Sequence, residues 1–394
     1  MTGPLREGAR DPRLDDEPGL AARALVWLAR TLLPLPPAPP SQISTVLVVR
    51  TDDRVGNALL TLPLVRAVQR ALPGARVDLL LAARRAPVAE GLPGIHVVRF
   101  EKTDAFRHPL RFARALLALR RYDVVIDAAH WHAFSLTSAL LSRWAARGWL
   151  IGPARGPSIY SVRAPLPAEG TPEVAAKVAL ALPLGAAAQP LPPLETALGR
   201  TPLPAGFAPL PAGLAPSHAE SAPLPAGPAR YVALNPGARK ADHRASPLLF
   251  GALAQALWRR RGVRSVVLWG PGEEEVARQV VAAAPEACAL APATSLDQLA
   301  AVLRGAALVV TNDTGPMHLA VACGAPVLGL FLDAAGLRWA HPGPRFAAVL
   351  AGAGVAAPAL DAVLAPALTL LDTAVPPSEP PPPMSGIPAA TEKT

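Results

Sequence analysis

Apolar residues in this chain fall into short unbroken runs, separated by stretches with helical spacing. The first runs are rich in Val, Leu and Ile and show no polar alternation, which is typical of strands covered on both faces of a sheet. These strands are predicted at 46–50, 77–82, 95–100 and 124–126. Helical spacing at 57–72 and 111–121 alternates with them, so the pattern predicts a parallel α/β layer.

The same alternation starts again in the second half of the chain. Strands are predicted at 231–234, 265–269, 307–310 and 327–331, and helices at 247–261, 273–284, 296–303 and 316–322. Between the halves, 186–228 repeats Pro-Leu-Pro-Ala pieces and is predicted to be a partly extended linker or insert with no fixed fold. Two α/β halves joined by this connector place the expected ligand site in the cleft between them.

This pattern divides the chain into five parts. They are a tail with a helix at 1–42, a first α/β domain at 43–185, the linker at 186–228, a second α/β domain at 229–375 and a disordered tail at 376–394. The first helix, predicted at 20–35, carries Arg23 and Arg30 seven residues apart on one face. Such a helix could lie on a membrane surface or pack against the body of the protein.

Composition narrows the class of protein. Hydrophobic residues make up 51% and charged residues 17%, which excludes global disorder, and no apolar run reaches the roughly 20 residues that span a bilayer. Two cysteines, Cys288 and Cys323, are too few for a disulfide scaffold or a four-ligand metal site, and they favour a reducing compartment.

The net charge of +9, from 38 basic and 29 acidic residues, favours anionic partners. No sequence pattern of a nucleic-acid-binding module occurs, so nucleic acid is not expected as a partner. Phosphorylated ligands and an anionic membrane surface fit the charge better.

The segment ALVVTNDTGPMHLA, at 307–320, is the most informative for chemistry. A strand is predicted to end at Thr311, and a polar turn leads to Pro316 in the first turn of a helix, with Thr314 as its N-cap. Amides at such a helix start can bind an anion, and Asp313 could accept hydrogen bonds from sugar hydroxyls. The alternative is an ordinary capped helix.

Other candidate groups follow predicted strands. Arg244 lies in a loop with Arg239, Lys240 and His243, and an arginine there could clamp a diphosphate, although a solvated basic loop is the alternative. Glu274 near a helix start could bind ribose hydroxyls or pair with the helix dipole.

The N-terminal half offers the loop RTDDRVGN at 50–57 and two histidines, His130 and His132, that flank Trp131. The histidines could contact substrate or could be structural, and the loop could be a simple strand-to-helix turn. No Walker, GxSxG, HExxH or kinase motif occurs.

In order along the chain, four blocks resemble glycosyltransferase family 9, the heptosyltransferase family of lipopolysaccharide assembly. They are VLVVRTDDRVGNALLTLPLVRAVQRALPGARVDLL, YDVVIDAAHWHAFSLTSALL, LNPGARKADHRASPLLFGALA and LVVTNDTGPMHLAVACGAPVLGLF. The resemblance implies a GT-B fold, in which two Rossmann-like domains face each other across a cleft. It also implies that the acceptor binds mainly to the N-terminal domain and the nucleotide-sugar donor to the C-terminal domain.

The resemblance also implies residue roles. Arg244 would neutralise the donor diphosphate, Asp313 would lie near the donor sugar, Glu274 would bind the ribose, and Thr294 would meet the base. The phosphate cradle would comprise Thr314, Gly315, Pro316, Met317 and His318, and the acceptor would meet Arg50, Gly56, Asn57 and His130. No metal or other cofactor is expected, because the arginine and the helix amides stand in for an ion.

The chain departs from the family pattern at two positions. Asn57 stands where the family has the aspartate that acts as general base, and an amide cannot accept a proton in that role. Either Asp53 or Asp52 substitutes for it, or the acceptor differs. Ser246 also stands where the family has a tryptophan.

The expected activity is inverting, metal-independent transfer of a sugar to a lipopolysaccharide-core or related surface-glycan acceptor. The donor would be a nucleotide diphosphate sugar, ADP-heptose by resemblance. The enzyme would be cytoplasmic and peripheral on the anionic inner membrane. Two alternatives stay open: another nucleotide-sugar enzyme on the same scaffold, such as an epimerase, and a nucleotide-sugar-binding protein without turnover, which Asn57 makes credible.

Overall fold

The computed structural model describes residues 19–36, 38–119, 122–153, 159–204, 207, 230–352 and 358–373. Three predicted features lie wholly or largely outside these residues: the loose N-terminal segment, most of the Pro-Leu-Pro-Ala repeats and the C-terminal tail.

The first half forms a six-stranded parallel sheet with the strand order β3-β2-β1-β4-β5-β6. Its strands are β1 (Thr45–Arg50), β2 (Arg76–Ala82), β3 (His96–Phe100), β4 (Tyr122–Asp127), β5 (Ala146–Gly152) and β6 (Val162–Arg163). Its helices are α1 (Leu20–Leu32), α2 (Val55–Ala71), α3 (Asp104–Arg107), α4 (Pro109–Leu119), α5 (Leu136–Ala145) and α6 (Glu173–Val178).

The second half repeats this design with the order β12-β11-β10-β7-β8-β9. Its strands are β7 (Tyr231–Asn235), β8 (Arg264–Val267), β9 (Cys288–Leu290), β10 (Leu308–Asn312), β11 (Val327–Phe331) and β12 (Phe346–Leu350). Its helices are α7 (Pro247–Arg261), α8 (Glu274–Ala283), α9 (Leu296–Gly305), α10 (Gly315–Ala322) and α11 (Leu360–Thr373). Both sheets have the Rossmann strand order, so the predicted α/β class is confirmed.

Some element bounds differ from those predicted. Helix α1 ends at Leu32, three residues early, ahead of the prolines at 34 and 36. Helix α2 begins at Val55, so Gly56 and Asn57 lie in its first turn and not in the loop. Helix α7 spans the predicted 247–261, because the Ser246 side chain caps its start and Gly262, at φ 63°, ends it.

The start of the predicted linker has a defined path. Thr196 donates to the carbonyl oxygen of Val88 in the first half at 3.0 Å, and the amide of Gly199 donates to Asp297 of the second half at 2.7 Å. Residues 196–199 of the predicted linker are therefore held by hydrogen bonds to both halves, which departs from the expectation of no fixed fold there. No helix in the described ranges has the length and apolar character to cross a membrane.

Candidate active site

The two sheets bring their switch points together. Strand order reverses between β1 and β4 in one sheet and between β7 and β10 in the other, and ligands bind at such points at the carboxyl ends of the strands. The first turns of α2 and α10 touch here. A side chain at Gly56 would collide with the ring of His318, and one at Gly315 would collide with Val55. Glycine at both positions permits this close approach.

A buried arginine organises the N-terminal side. Arg50, 3% exposed at the end of β1, donates to the carbonyl oxygen of Ala128 at 2.5 Å, contacts His130 Nε2 at 2.6 Å and pairs with Asp52. Because a guanidinium only donates, His130 Nε2 must accept, and its Nδ1 then donates to Glu173 at 2.7 Å. Burial and the charge of Arg50 lower the pKa of His130 to about 3, so this imidazole is neutral.

Helix α6 adds a buried ion pair to this network. Glu173 and Lys177 are one turn apart, with 3.4 Å between Nζ and the carboxylate, and Lys177 also donates to Ala128 at 3.0 Å. Burial, with the Arg50 charge, lowers the pKa of Lys177 to about 8. Burial alone would raise the pKa of Glu173, but Lys177 and His130 outweigh it and the net shift is downward. This pair was not predicted from the sequence. The signal in the sequence was an acidic and a basic residue four positions apart, the spacing of an ion pair on one face of a helix.

The two candidate bases have different surroundings. Asp52 accepts hydrogen bonds from the Asn57 side chain at 2.9 Å and from the Arg54 amide at 3.1 Å. Burial alone would raise the pKa of Asp52. The charge of Arg50 and the Asn57 hydrogen bond outweigh burial, so the net shift of the pKa is downward and the carboxylate is held ionised. Asp53 instead pairs with Arg85 at 2.8 Å and is half exposed.

Two asparagines that sequence reasoning missed connect the loops of the C-terminal side. Asn312, fully buried at the end of β10, accepts from the amide of Ala245 at 3.1 Å and donates to the carbonyl oxygens of Pro236 and Gly237 at 2.8 and 3.3 Å. The structure therefore ties Arg244, the neighbour of Ala245, to the strand that leads into α10.

Asn235, at the end of β7, makes the second connection. Its amide donates to the hydroxyls of Thr311 and Thr314 at 2.9 and 3.1 Å. Both hydroxyls in turn donate to the carbonyl oxygen of Asn312, at 2.9 and 3.2 Å. The ends of β7 and β10 thus form one hydrogen-bonded unit.

The start of α10 differs in detail from the expected phosphate cradle. Thr314 occupies the N-cap position with extended backbone, but its hydroxyl makes no capping bond. Pro316 has no N–H, and the amide of Met317 donates to the Thr314 carbonyl oxygen at 3.1 Å. Within the described residues this leaves the amide of Gly315 for a ligand. The side chains of Met317 and His318 are buried. The Nδ1 of His318 lies 2.7 Å from the Nε2 of His341, within hydrogen-bond distance.

Arg244 and Asp313 are both half buried near this helix start. Arg244 donates one N–H to the Ala238 carbonyl oxygen at 2.7 Å, and its buried Nε has no partner among the described residues. Burial, and then the negative charge of Asp333, raises the pKa of Asp313 to about 7, while Arg338 opposes the rise. Asp313 therefore titrates near neutral pH.

The structure separates the predicted ribose ligand from this group. The Glu274 carboxylate pairs with Arg278 on the exposed face of α8 at 2.5 Å. Its neighbour Glu273 lies against Gly237, where any side chain would collide with the carboxylate, and accepts from the amide of Gly270 at 3.2 Å. Thr294 lies in the loop after β9, at the same edge of the sheet.

One tryptophan, also missed from the sequence, bridges the two halves. Trp339 ends a short 3₁₀ helix of the second half and packs edge-on against His130 and His132 of the first, with ring centroids 5.5 and 6.2 Å apart. The ring of His318 also lies edge-on to Trp339, with 6.3 Å between the ring centroids. Aromatic packing therefore joins the predicted acceptor and donor residues.

His130, His132 and Glu173 are the described residues that could bind a metal ion, since their ligand atoms lie within 4.8 Å of one another. However, Arg50 and Lys177 already contact His130 and Glu173. A cation there would face two positive charges, so the chemistry of the site fits a hydrogen-bonded charge network better than a metal centre.

A sequence model of glycosyltransferase family 9 (heptosyltransferase) matches residues 110–359, more than half of the chain. The chain belongs to glycosyltransferase family 9. It is 24% identical over 291 residues to lipopolysaccharide heptosyltransferase 3 of Escherichia coli, covering 70% of this chain and 80% of that protein.

Solved structures agree on the fold. The Escherichia coli heptosyltransferase WaaC, solved with ADP and with ADP-2-deoxy-2-fluoro heptose, is 24% identical; the ADP complex superposes with a TM-score of 0.60 over 82% of this chain and 98% of WaaC. A family 9 glycosyltransferase from Veillonella parvula is 17% identical, with a TM-score of 0.66 over 85% of this chain and 99% of that chain. The GT-B fold is therefore confirmed, and this family 9 member is a glycosyltransferase.

Proposed function

We propose that this glycosyltransferase moves heptose from ADP-heptose to a lipopolysaccharide-core or related surface-glycan acceptor, with inversion at the anomeric carbon. The family supports heptose transfer, and WaaC, which shares the fold, has been solved with ADP and with a fluorinated ADP-heptose. The class of acceptor in this proposal rests on the same resemblance.

The hydrogen bond from Ala245 to Asn312 carries the donor half of this proposal. It holds the Arg244 loop beside the β10–α10 turn, so a cation and a helix start share one edge of the sheet. A departing diphosphate gains negative charge there, and Arg244 with the Gly315 amide would stabilise it. That arrangement needs no metal ion, and we propose metal-independent transfer.

Other donor contacts follow from the same edge of the sheet. Glu273, which faces the Arg244 loop, is a better candidate than Glu274 for the ribose hydroxyls. Asp313 would accept hydrogen bonds from the donor sugar, and Thr294 would meet the base through its backbone. Because Met317 and His318 direct their side chains into the protein, these side chains would not contact the donor.

For the acceptor we propose Asp52 as general base and Asn57 as the residue that orients it. Both carboxylates pair with an arginine, Asp52 with Arg50 and Asp53 with Arg85. Asp52 is held ionised and also receives the side-chain amide of Asn57, the residue at the expected base position, which favours it. The acceptor hydroxyl would lose its proton to Asp52 while attacking opposite the leaving diphosphate. Arg50 and His130, beside Asp52, would contact the acceptor.

A donor panel tests the function. The full chain is heated with ADP-heptose, ADP-glucose, UDP-glucose or GDP-mannose, and the melting temperature is compared with that of the free protein. A ligand that binds only the folded state raises it. ADP-heptose should raise it most, and release of ADP should require a heptose-deficient lipopolysaccharide core.

Two outcomes of the panel would contradict the proposal. Stabilisation by ADP-heptose without transfer to any core acceptor would favour the non-catalytic binder. Stronger stabilisation by a UDP-sugar or GDP-sugar would mean that the donor assignment is wrong.

A further inference from the structure

Large apolar side chains on one side of α1 face solvent. Leu20 is 84% exposed and Trp27 is 67% exposed, while Val26 is buried. At 100° per residue, Leu20, Trp27 and Leu28 point away from the side of the helix that carries Val26. The outer side of α1 is therefore an apolar row.

Helices α3 and α4 present a second apolar row. Phe106 in α3 is 92% exposed, and Leu110 in α4 is 77% exposed. Leu117, seven residues after Leu110, points in the same direction, opposite the side that carries Leu116 and Leu119. Side chains of this size rarely extend into water together on one surface without a partner.

Both rows belong to one side of the N-terminal domain. The guanidinium of Arg143 in α5 donates to the carbonyl oxygen of Leu33 just after α1 at 2.9 Å, and the adjacent Trp144 donates to Leu116 of α4 at 2.6 Å. Val26 and Leu119 also enter the same hydrophobic core. Helices α1 and α4 are therefore neighbours of α5 on the same side of the sheet.

Cations flank both rows. Arg23 and Arg30 are exposed beside the α1 row, and Arg111 and Arg114 are exposed beside the α4 row. Neither α1 nor α4 contains an acidic residue, although Arg111 approaches Asp104 of α3 at 3.3 Å. Apolar side chains flanked by arginines match the boundary between acyl chains and anionic headgroups.

We propose that the docking surface formed by the exposed rows of α1, α3 and α4 binds an anionic lipid bilayer. Phe106, Leu110, Leu117 and Trp27 would enter the headgroup region, and the flanking arginines would meet lipid phosphates. The purpose of this docking rests on the proposed function, because it would hold the enzyme beside a lipid-linked acceptor. The binding itself does not depend on the sugar transferred.

The test is co-sedimentation of the full chain with phosphatidylcholine vesicles, with and without phosphatidylglycerol. Binding should require the anionic lipid and weaken with salt. The double variant Arg111→Ser/Arg114→Ser should bind roughly 25-fold more weakly at low salt, since each cation near an anionic surface contributes about fivefold. The double variant Arg259→Ser/Arg260→Ser, which removes two exposed arginines at the end of α7, should bind as the wild type does.

Apolar variants supply the second arm. Leu110→Ser/Leu117→Ser should lose about tenfold or more in vesicle affinity. Leu248→Ser, 69% exposed on α7, should not. Melting temperatures near the wild-type value would show that the variants are folded.

Three results would overturn the proposal: no vesicle binding by the wild type, equal losses in the α7 controls, or a dimer in solution that dissociates in Leu110→Ser/Leu117→Ser. ADP-heptose stabilisation of the protein without vesicles reports on the proposed function separately, so failure of either proposal is distinguishable from failure of the other.

Discussion

The side-chain amide of Asn57 donates a 2.9 Å hydrogen bond to the carboxylate of Asp52. Asn57 occupies the position at which family 9 resemblance leads one to expect a catalytic aspartate. In this chain a carboxylate lies five residues earlier and accepts a hydrogen bond from the residue at that position. This contact is the basis on which Asp52 is proposed as the general base, and it makes the site testable one residue at a time.

Replacing Asp52 should remove the proton acceptor. Asp52→Asn keeps the shape of the side chain, and we expect kcat to fall by about 10²–10⁴-fold, the usual cost of losing a general base. Thermal stabilisation by ADP should be unchanged, because Asp52 lies on the acceptor side. Asp53→Asn is the matched control and should keep activity within a few-fold; the reverse ranking of the two variants would assign the base to Asp53.

Asn57→Asp should change the pH dependence of kcat and should not simply raise kcat at every pH. It would place a second carboxylate in hydrogen-bond contact with Asp52, and like charges at that distance raise the pKa of one of the pair. We expect the acid limb of the kcat profile to move upward by about one pH unit or more. A higher rate at all pH values with no shift of the limb would show that Asn57 limits the base step.

Asn312→Ala should weaken donor binding through the Arg244 loop. The change removes three hydrogen bonds that hold this loop against β10, so the KM for the donor should rise about tenfold with a smaller change in kcat. Leu253→Ala, in the buried face of α7, is the control, because it should lower the free energy of unfolding by about 2–5 kcal/mol. Unchanged donor KM in Asn312→Ala alongside a lower melting temperature would reduce Asn312 to a structural role.

The two neighbouring glutamates should behave differently. Glu273→Gln should raise the KM for ADP-heptose by about tenfold, because hydrogen bonds between a carboxylate and ribose hydroxyls contribute roughly 1.5–3 kcal/mol. Glu274→Gln should have little effect, since an exposed pair such as Glu274–Arg278 contributes little. Isothermal titration calorimetry measures the affinity of both variants for ADP directly. A larger loss of affinity in Glu274→Gln than in Glu273→Gln would assign the ribose contact to Glu274.

Acid should destabilise the protein through its buried histidine pair. Burial lowers the pKa of His341 to about 4 and, together with His341, lowers the pKa of His318 well below its ordinary value. The unfolded chain therefore binds more protons below about pH 6.5, and stability present above that pH is lost as pH falls towards 4.

His341→Phe tests this histidine pair. The variant should be less stable at pH 7.5, because the Nδ1 of His318 loses its partner, yet its melting temperature should fall less between pH 7.5 and 5. Each group accounts for at most about 1.4 kcal/mol per pH unit. His108→Gln, at an exposed position, is the control and should keep the wild-type slope. An unaltered slope in His341→Phe would place the acid sensitivity elsewhere.

Several elements that carry the site gave weak signals in the sequence. Helix α6 has only six residues and follows a proline-rich stretch, so its pattern does not stand out from coil, yet it supplies Glu173 and Lys177. Trp339 lies in a 3₁₀ helix whose short length leaves no periodicity to detect. By contrast, α7 was predictable to the residue, because a capping serine, a first-turn proline and a terminal glycine marked both ends.

The two α/β layers and the family could be predicted from the amino-acid order, because unbroken apolar runs, helical spacing and motifs are local properties of the chain. Which polar groups meet could not be predicted, because it depends on how the chain folds. Asn312 reaches Ala245 across 67 positions and His130 reaches Glu173 across 43, contacts that exist once strand order has brought distant loops to one edge. The choice between Asp52 and Asp53 also depends on side-chain direction in a folded turn, because neighbouring carboxylates differ in their partners and not in any pattern along the chain.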